Sequence, residues 1–183
     1  MMKDFAMHIM DIAQNSVSAG ASEITVEIFE SERTDLFALT IRDNGKGIPA
    51  DMIDKVTDPY VTSRTTRKVG LGLPLLKQHA NSTGGSLMLD SAEGKGTEVR
   101  ATFGLSHFDR QPLGDIAGTI VLLAAANPQI RFVYKHSTDT GSYIFDTVEV
   151  NQMLEDMSIA EAPVIRFLRE MIEENLKEIK ISG

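Results

Sequence analysis

Apolar and polar residues follow two periods along this chain, one typical of helices and one typical of strands. Residues 5–17 carry apolar side chains at helical spacing, and Gly20 follows as a stop signal. Residues 23–29 and 36–42 alternate with period two across a short polar segment, which predicts a β-hairpin. A short helix is predicted over residues 51–56, after a loop that contains two glycines.

The same two periods continue to about residue 104. Helical spacing returns over residues 71–80 and ends before Gly84, a residue type that commonly stops helices. Two further strands, over residues 86–90 and 97–103, flank a glycine-containing turn. The first part of the chain is therefore predicted to fold in the order αββααββ.

Beyond residue 104 the pattern predicts an apolar helix over residues 112–126, a hairpin from residues 130–135 and 143–145, and two final helices. We expect an α/β (α+β) fold, a two-layer sandwich in which helices cover one face of a mixed, mainly antiparallel sheet. Residues 105–183 are expected to form a small α/β extension whose role the sequence leaves open, with partner binding as one option. Three methionines are expected to fill gaps in its core, namely Met153, Met157 and Met171.

Composition narrows the class of protein. The 183 residues are 42% apolar and 24% charged, as in ordinary globular domains, and the absence of cysteine excludes disulfides, thiolate metal sites and cysteine nucleophiles. A net charge of −8 argues against nucleic-acid binding, which requires clustered Lys and Arg. The longest uncharged apolar stretch, residues 116–126, is too short for the roughly 20 residues of a membrane span. With no signal-peptide pattern at its start, we expect a cytoplasmic protein without nucleic-acid or membrane partners.

One candidate motif, D-N-G-K-G-I-P at residues 43–49, lies at the exit of a predicted strand. There Asp43 can accept a hydrogen bond from an exocyclic amine, while Gly45 and Gly47 let the backbone lie against a flat ring. Taken alone, such a loop is more often a plain turn.

A second motif, G-L-G-L at residues 70–73, begins a predicted helix after a basic stretch. The unpaired N–H groups and the dipole of a helix N-terminus favour phosphate binding there. An ordinary helix cap after a solvated basic loop remains the alternative.

The first helix carries Asp11 and Asn15, four residues apart and therefore on the same side. The amide oxygen of Asn15 suits Mg²⁺, and the Asp11 carboxylate can orient or deprotonate water or accept a hydroxyl proton from a protein substrate. In isolation this pair also fits a solvated polar face.

Taken in their order, these motifs and G-K-G-T at residues 94–97 resemble the GHKL superfamily of gyrase B, heat-shock chaperone, histidine kinase and mismatch-repair ATPases. The resemblance covers about residues 5–104. Residues 11–21 are most similar to the mismatch-repair branch, whereas residues 70–77 and 93–97 are similar to protein kinases of the superfamily. The resemblance implies a Bergerat-type sandwich that binds ATP and Mg²⁺.

The resemblance also implies a role for each motif. Asp43 should receive the adenine amine, directly or with Thr97 through water, while Gly45 and Gly47 shape the pocket and Asn15 holds Mg²⁺. The residues expected to face or reach the phosphates are Lys68, Gly70, Leu71, Gly72 and Leu73.

Two positions depart from the pattern of the superfamily. Asp11 stands where gyrase-like and mismatch-repair ATPases place a glutamate as general base, and Asp is shorter by one methylene. Ser18 stands where histidine kinases usually carry a lysine, a charge that Lys68 can replace. Residues 58–69 correspond to the nucleotide lid. Asp11 is the candidate catalytic residue. The sequence leaves open whether ATP turnover is slow or absent.

We therefore expect a stand-alone, histidine-kinase-like ATPase, because residues before position 5 do not supply the paired helices and phosphoacceptor histidine of a sensor kinase. Its expected function is Mg-ATP-dependent signalling through an unidentified protein partner or substrate, as a protein kinase or slow ATPase. One alternative is a non-catalytic ATP sensor or adaptor. A second is an ATP-gated dimeric clamp resembling mismatch-repair ATPases.

Overall fold

The computed structural model describes residues 2–58, 72–179 and 181–182. Its strands are β1 (Glu23–Ser31), β2 (Leu36–Asp43), β3 (Leu87–Ala92), β4 (Gly96–Gly104), β5 (Arg131–Ser137) and β6 (Ser142–Asp146). Its helices are α1 (Phe5–Ser18), α2 (Ile53–Val56), α3 (Gly72–Ser82), α4 (Ile116–Ala126), α5 (Thr147–Leu154) and α6 (Ala162–Glu178). The order of elements up to β4 is the predicted αββααββ.

The strands form one six-stranded sheet in the order β3-β4-β2-β1-β5-β6. Four neighbouring pairs are antiparallel, and only β1 and β5 are parallel in the part of the chain described. The expectation of a mixed, mainly antiparallel sheet is therefore confirmed.

One face of this sheet carries the core. Ile28, Leu39 and Ala101 lie on neighbouring strands in register, so their side chains share that face, and all three are buried. Helices α1, α3, α4 and α6 bury their apolar residues in the same cluster. On the opposite face Arg42 forms ion pairs with Glu27 and Glu98. The alternation of apolar and charged residues thus decides which face the helices cover.

The extension after residue 104 continues this sheet. Strand β5 pairs in parallel with β1, and β6 adds the outer strand. Helix α4 begins at Ile116 and not at residue 112, because the Asp115 side chain accepts a hydrogen bond from the amide of Gly118 at 3.0 Å and caps the helix. The carbonyl of Pro112 instead accepts from the amide of Phe5 at 3.0 Å. Among the described residues, no helix is both long enough and apolar enough to cross a membrane.

A buried polar cluster joins the extension to β1. The Nε2 atom of His136 lies 2.5 Å from Oε2 of Glu30, and Nδ1 of the same ring lies 2.5 Å from the hydroxyl of Tyr134. The amide and hydroxyl of Ser182 both donate to Oε1 of Glu30. Burial by itself would raise the pKa of Glu30, but hydrogen bonds from His136 and Ser182 lower it below its ordinary value. The cluster therefore holds a charged carboxylate inside the protein.

Candidate functional site

A cavity of about 680 Å³ opens between α1, the ends of β2 and β4, and the start of α3. Its wall is mostly apolar, which suits a flat ring. The apolar lining residues include Ile12, Ile41, Ile48, Met52, Leu73 and Val99. The polar lining residues include Asn15, Ser16, Asp43, Lys46 and Thr97. The structure thus brings Asn15, Asp43 and Thr97 together.

Asp43 ends β2, and two groups hold its side chain. The hydroxyl of Ser16 donates to Oδ2 at 2.5 Å, and the amide of Gly45 donates to Oδ1 at 2.9 Å. A carboxylate offers about four lone-pair positions, so each oxygen can accept a further hydrogen bond. The geometry therefore leaves Asp43 able to receive an exocyclic amine.

The loop after β2 needs glycine at two positions. A Cβ atom on Gly45 would lie 2.8 Å from the carbonyl oxygen of Ala19, at the end of α1. Gly47 has a φ of +74°, and its Cβ would lie 2.1 Å from the carbonyl oxygen of Ala92. Of the two, Gly47 lines the cavity, whereas Gly45 places the loop against α1 and donates to Asp43.

Thr97 lies opposite Asp43 in the pairing of β2 with β4, so both side chains occupy the same face. Its Oγ1 atom is 2.8 Å from Oγ of Ser91, which also accepts a hydrogen bond from the amide of Ile48 at 2.8 Å. Sequence reasoning missed Ser16 and Ser91. The position of Ser91, opposite Thr97 across the predicted β3–β4 turn, was a usable signal.

Asp11 occupies a different position from Asn15. Asn15 lines the cavity, whereas Asp11 lies one turn earlier on α1, against the first residue of α3. A Cβ atom on Gly72 would lie 1.9 Å from Oδ2 of Asp11, so only glycine fits there with the side chain in this position. Within the described part of the chain, Oδ2 is buried without a hydrogen-bond partner.

Burial raises the pKa of Asp11, while the nearby His8 and the amide of Gly72 oppose this shift. A carboxylate with a raised pKa accepts a proton more readily, as a general base must. His8 itself is 1% exposed and has a lowered pKa because of burial. Its Nε2 atom lies 3.0 Å from Oε1 of Gln111, which agrees with a neutral, packed side chain.

The start of α3 contributes Gly72 and Leu73 to the site. Leu73 is buried and lines the cavity, and Gly72 contacts Asp11. The other predicted phosphate residues, Lys68, Gly70 and Leu71, lie outside the described residues, as does the predicted lid beyond Asp58. Their roles stay predictions.

The donor set fits a magnesium ion that arrives with a polyphosphate. In the described part of the chain, no group of three His, Asp or Glu side chains could hold a metal ion. Mg²⁺ usually takes one or two protein oxygens and completes its shell with waters and substrate phosphates. The amide oxygen of Asn15 at the cavity wall is compatible with such a shell.

The fold and this cavity define a two-layer nucleotide-binding domain. Residues 4–107 match the family described as histidine kinase-, DNA gyrase B- and HSP90-like ATPase, and the match covers more than half of the chain. The chain belongs to this family, and these residues form a GHKL ATP-binding domain of the histidine kinase type.

Two kinases of Bacillus subtilis (strain 168) are among its relatives. Sensor histidine kinase WalK is 35% identical over 99 residues, which are 51% of this chain and 16% of that protein. Sensor histidine kinase YxdK is 34% identical over 102 residues, 52% of this chain and 31% of that protein. The chain thus matches less than a third of either kinase.

Among solved structures, the N-terminal domain of a DNA repair protein has a similar fold. The TM-score is 0.53 at 18% sequence identity, and the alignment covers 78% of this chain and 52% of that chain. This likeness supports the sandwich architecture alone.

Proposed function

We propose that this chain is a cytoplasmic, Mg-ATP-binding regulatory protein of the histidine-kinase-like ATPase type, with protein kinase or slow ATPase activity. The observation that carries the proposal is the convergence of Asp43, Thr97 and Asn15 on one apolar cavity. An acceptor for an amine and a hard oxygen donor in one apolar cavity match the adenine and the phosphates of a purine nucleotide.

In this proposal Asp43 accepts a hydrogen bond from the adenine amine, and Thr97 shares a water with it. The apolar walls, including Ile41 and Val99, exclude water from the ring. Because Ser16 and Gly45 already hold the carboxylate of Asp43, its side chain loses little conformational entropy when the amine binds.

Toward the other end, Asn15 holds Mg²⁺, which when bound neutralises charge on the phosphates. At the start of α3, Leu73 lines the same cavity, and we assign the phosphates to this helix N-terminus, whose dipole favours anions; the amide of Gly72 there also donates to Asp11. On the sequence motif alone, Lys68, Gly70 and Leu71 are also assigned to phosphate binding.

Asp11 is the proposed general base. Its carboxylate accepts the proton of an attacking water or of a substrate hydroxyl or imidazole as that nucleophile bonds to the γ-phosphorus and ADP leaves. The raised pKa and the contact with Gly72 support this role.

A second candidate function is a non-catalytic ATP sensor or adaptor. Asp11 is not among the described residues that line the nucleotide cavity, and its side chain is shorter than the glutamate of the related ATPases. A sensor would bind ATP through Asp43 without transferring the γ-phosphate.

Incubation with γ-labelled ATP and magnesium, with and without cell extract, separates these functions. Released labelled phosphate indicates an ATPase, and labelled protein indicates a kinase. In either case Asp11→Asn should abolish the product, whereas Asp90→Asn, an exposed carboxylate on β3, should not. If calorimetry detects ATP binding but neither labelled phosphate nor labelled protein forms, the protein is a sensor. Absence of ATP binding would contradict the proposal as a whole.

A further inference from the structure

A groove runs along the outer side of α1, between this helix and α4. It consists of two cavities of about 400 and 510 Å³ that share Met10 and Gln14 in their walls. The first cavity is also lined by Met2, Asp4, Met7, Asp11 and Asp115. The second is also lined by Val17, Leu122, Leu123 and Ala126. We call this surface the α1–α4 groove.

The α1–α4 groove exposes large apolar side chains. Met7 is 41% exposed and Leu122 is 53% exposed, one on each bordering helix. Methionine adapts its shape to different apolar surfaces, and exposed apolar residues that line a groove mark interaction sites. The size and apolar lining suit one face of a helix laid along the groove.

Charge decides which kind of helix fits. Three carboxylates, on Asp4, Asp11 and Asp115, line the groove, and no lysine or arginine lies among its described lining residues. Asp115 pairs with Arg169 at 2.9 Å and Oδ2 of Asp11 is buried, whereas Asp4 accepts from the amide of Met7 and forms no ion pair within the described part of the chain. A basic partner therefore complements this rim. A second copy of this chain, with net charge −8, would be repelled.

We propose that the α1–α4 groove docks an amphipathic helix of a partner protein, with apolar side chains in the groove and lysines or arginines along its acidic rim. The inference rests on the proposed function, since it assigns the surface through which that protein partner binds. Helix α1 carries Asn15 at the nucleotide cavity and Asp11 in the groove. A docked helix therefore lies beside the phosphate end of the nucleotide site.

The test uses a fluorescent 16-residue helical peptide with leucine and methionine on one face and lysine on the other. A matched peptide carries glutamate in place of every lysine. Fluorescence anisotropy on the full chain should show saturable binding of the basic peptide and at least tenfold weaker binding of the acidic one. Leu122→Lys should weaken binding of the basic peptide about tenfold or more, a difference of about 1.4 kcal/mol.

Met153→Lys is the matched control, because Met153 is 69% exposed on α5 and does not line the groove. It should bind the basic peptide as the wild type does. Circular dichroism checks that each variant is folded. If Leu122→Lys does not fold, Met7→Lys is the groove variant used in its place.

Equal binding of both peptides, no binding of the basic peptide, or unchanged binding by both folded groove variants would overturn the inference. So would sedimentation showing a wild-type dimer that Leu122→Lys dissociates, since the groove would then hold a second copy. Calorimetry with ATP on the same samples keeps the two proposals apart. Intact ATP binding with failed peptide binding rejects the groove assignment alone, and the reverse result rejects the nucleotide proposal alone.

Discussion

Ser16 donates a hydrogen bond to Asp43, with 2.5 Å between Oγ and Oδ2, across 27 positions of sequence. The bond joins the last turns of α1 to the end of β2. Since the amide of Gly45 holds the other carboxylate oxygen, the orientation of Asp43 is set by the protein itself. The helix that carries Asn15 and the strand that carries Asp43 are thus coupled at the cavity.

Replacement of Ser16 by alanine should therefore weaken ATP binding, because the carboxylate of Asp43 loses one of the two groups that orient it. Loss of one hydrogen bond to a charged group corresponds to about 1.5 kcal/mol, so we expect the Kd for ATP to rise by roughly tenfold or less. Isothermal titration calorimetry measures this. Ser86→Ala, at an exposed position before β3, serves as the control and should not change Kd. An unaltered Kd in Ser16→Ala would show that Asp43 needs no such support.

Asp43→Asn should weaken ATP binding more than Ser16→Ala does. The amide keeps one acceptor oxygen but loses the negative charge, and a charge-assisted hydrogen bond contributes about 1.5–3 kcal/mol. We expect the Kd for ATP to rise roughly tenfold or more, measured by the same calorimetry. Asp90→Asn removes an exposed carboxylate on β3 and should leave Kd unchanged. Equal affinities of Asp43→Asn and wild type would refute the adenine assignment.

Gly72→Ala should destabilise the protein through Asp11. The new Cβ would lie 1.9 Å from Oδ2 of Asp11, and overpacking of this kind costs about 1–3 kcal/mol of unfolding free energy. Asp11→Ala removes the obstructing carboxylate, so Gly72→Ala in that background should be neutral or stabilising, as alanine favours helices. Urea denaturation of the four proteins in this double-mutant cycle should give a coupling energy of about 1 kcal/mol or more. Additive effects would mean that the two residues are not in contact.

Acid should destabilise the protein partly through Glu30. Its pKa is lowered in the folded state, so its charge stabilises the fold above the unfolded pKa of about 4.3, and this stability is lost as pH falls through the folded value. Glu30→Gln should lower the free energy of unfolding at pH 7 by about 1.5–3 kcal/mol and flatten its decline below pH 5.

Urea denaturation between pH 3 and pH 7 measures both effects. The matched control is Glu32→Gln, at an exposed position one residue beyond β1, and its pH profile should follow that of the wild type. The comparison is needed because Asp139 and Asp146 also have lowered pKa values and contribute to the acid sensitivity of every variant. A Glu30→Gln profile parallel to the wild type would contradict this role of Glu30.

Local periodicity predicted the elements but not their partners. Strand β1 was predicted over residues 23–29 and observed over Glu23–Ser31, because alternation follows from burial of one face. Nothing in that pattern specifies that β5 pairs with β1, or that Ser16 contacts Asp43, since such contacts depend on how the layers stack. The buried bonds among Glu30, His136 and Ser182 were missed for the same reason.

The expectation for two methionines was wrong. Met153 is 69% exposed and Met157 is 53% exposed, although both were expected in the core. Helix α5 instead packs Val150 and Leu154 toward the core, four residues apart on one face, and Met153 lies about 100° away from Leu154. Met171 does pack against the core. Hydrophobicity alone does not tell which face of a short helix is buried.

The parallel pairing of β1 with β5 has a consequence for any shortened form of this protein. Cutting the chain after Gly104 would strip the hydrogen-bonding partners from one side of β1 along residues 23–29. An exposed edge strand of this kind can pair with strands of other chains, so the truncated protein should aggregate in solution. The residues that resemble the kinases therefore do not complete this sheet by themselves, because β1 is paired on one side by β5, which lies beyond residue 104.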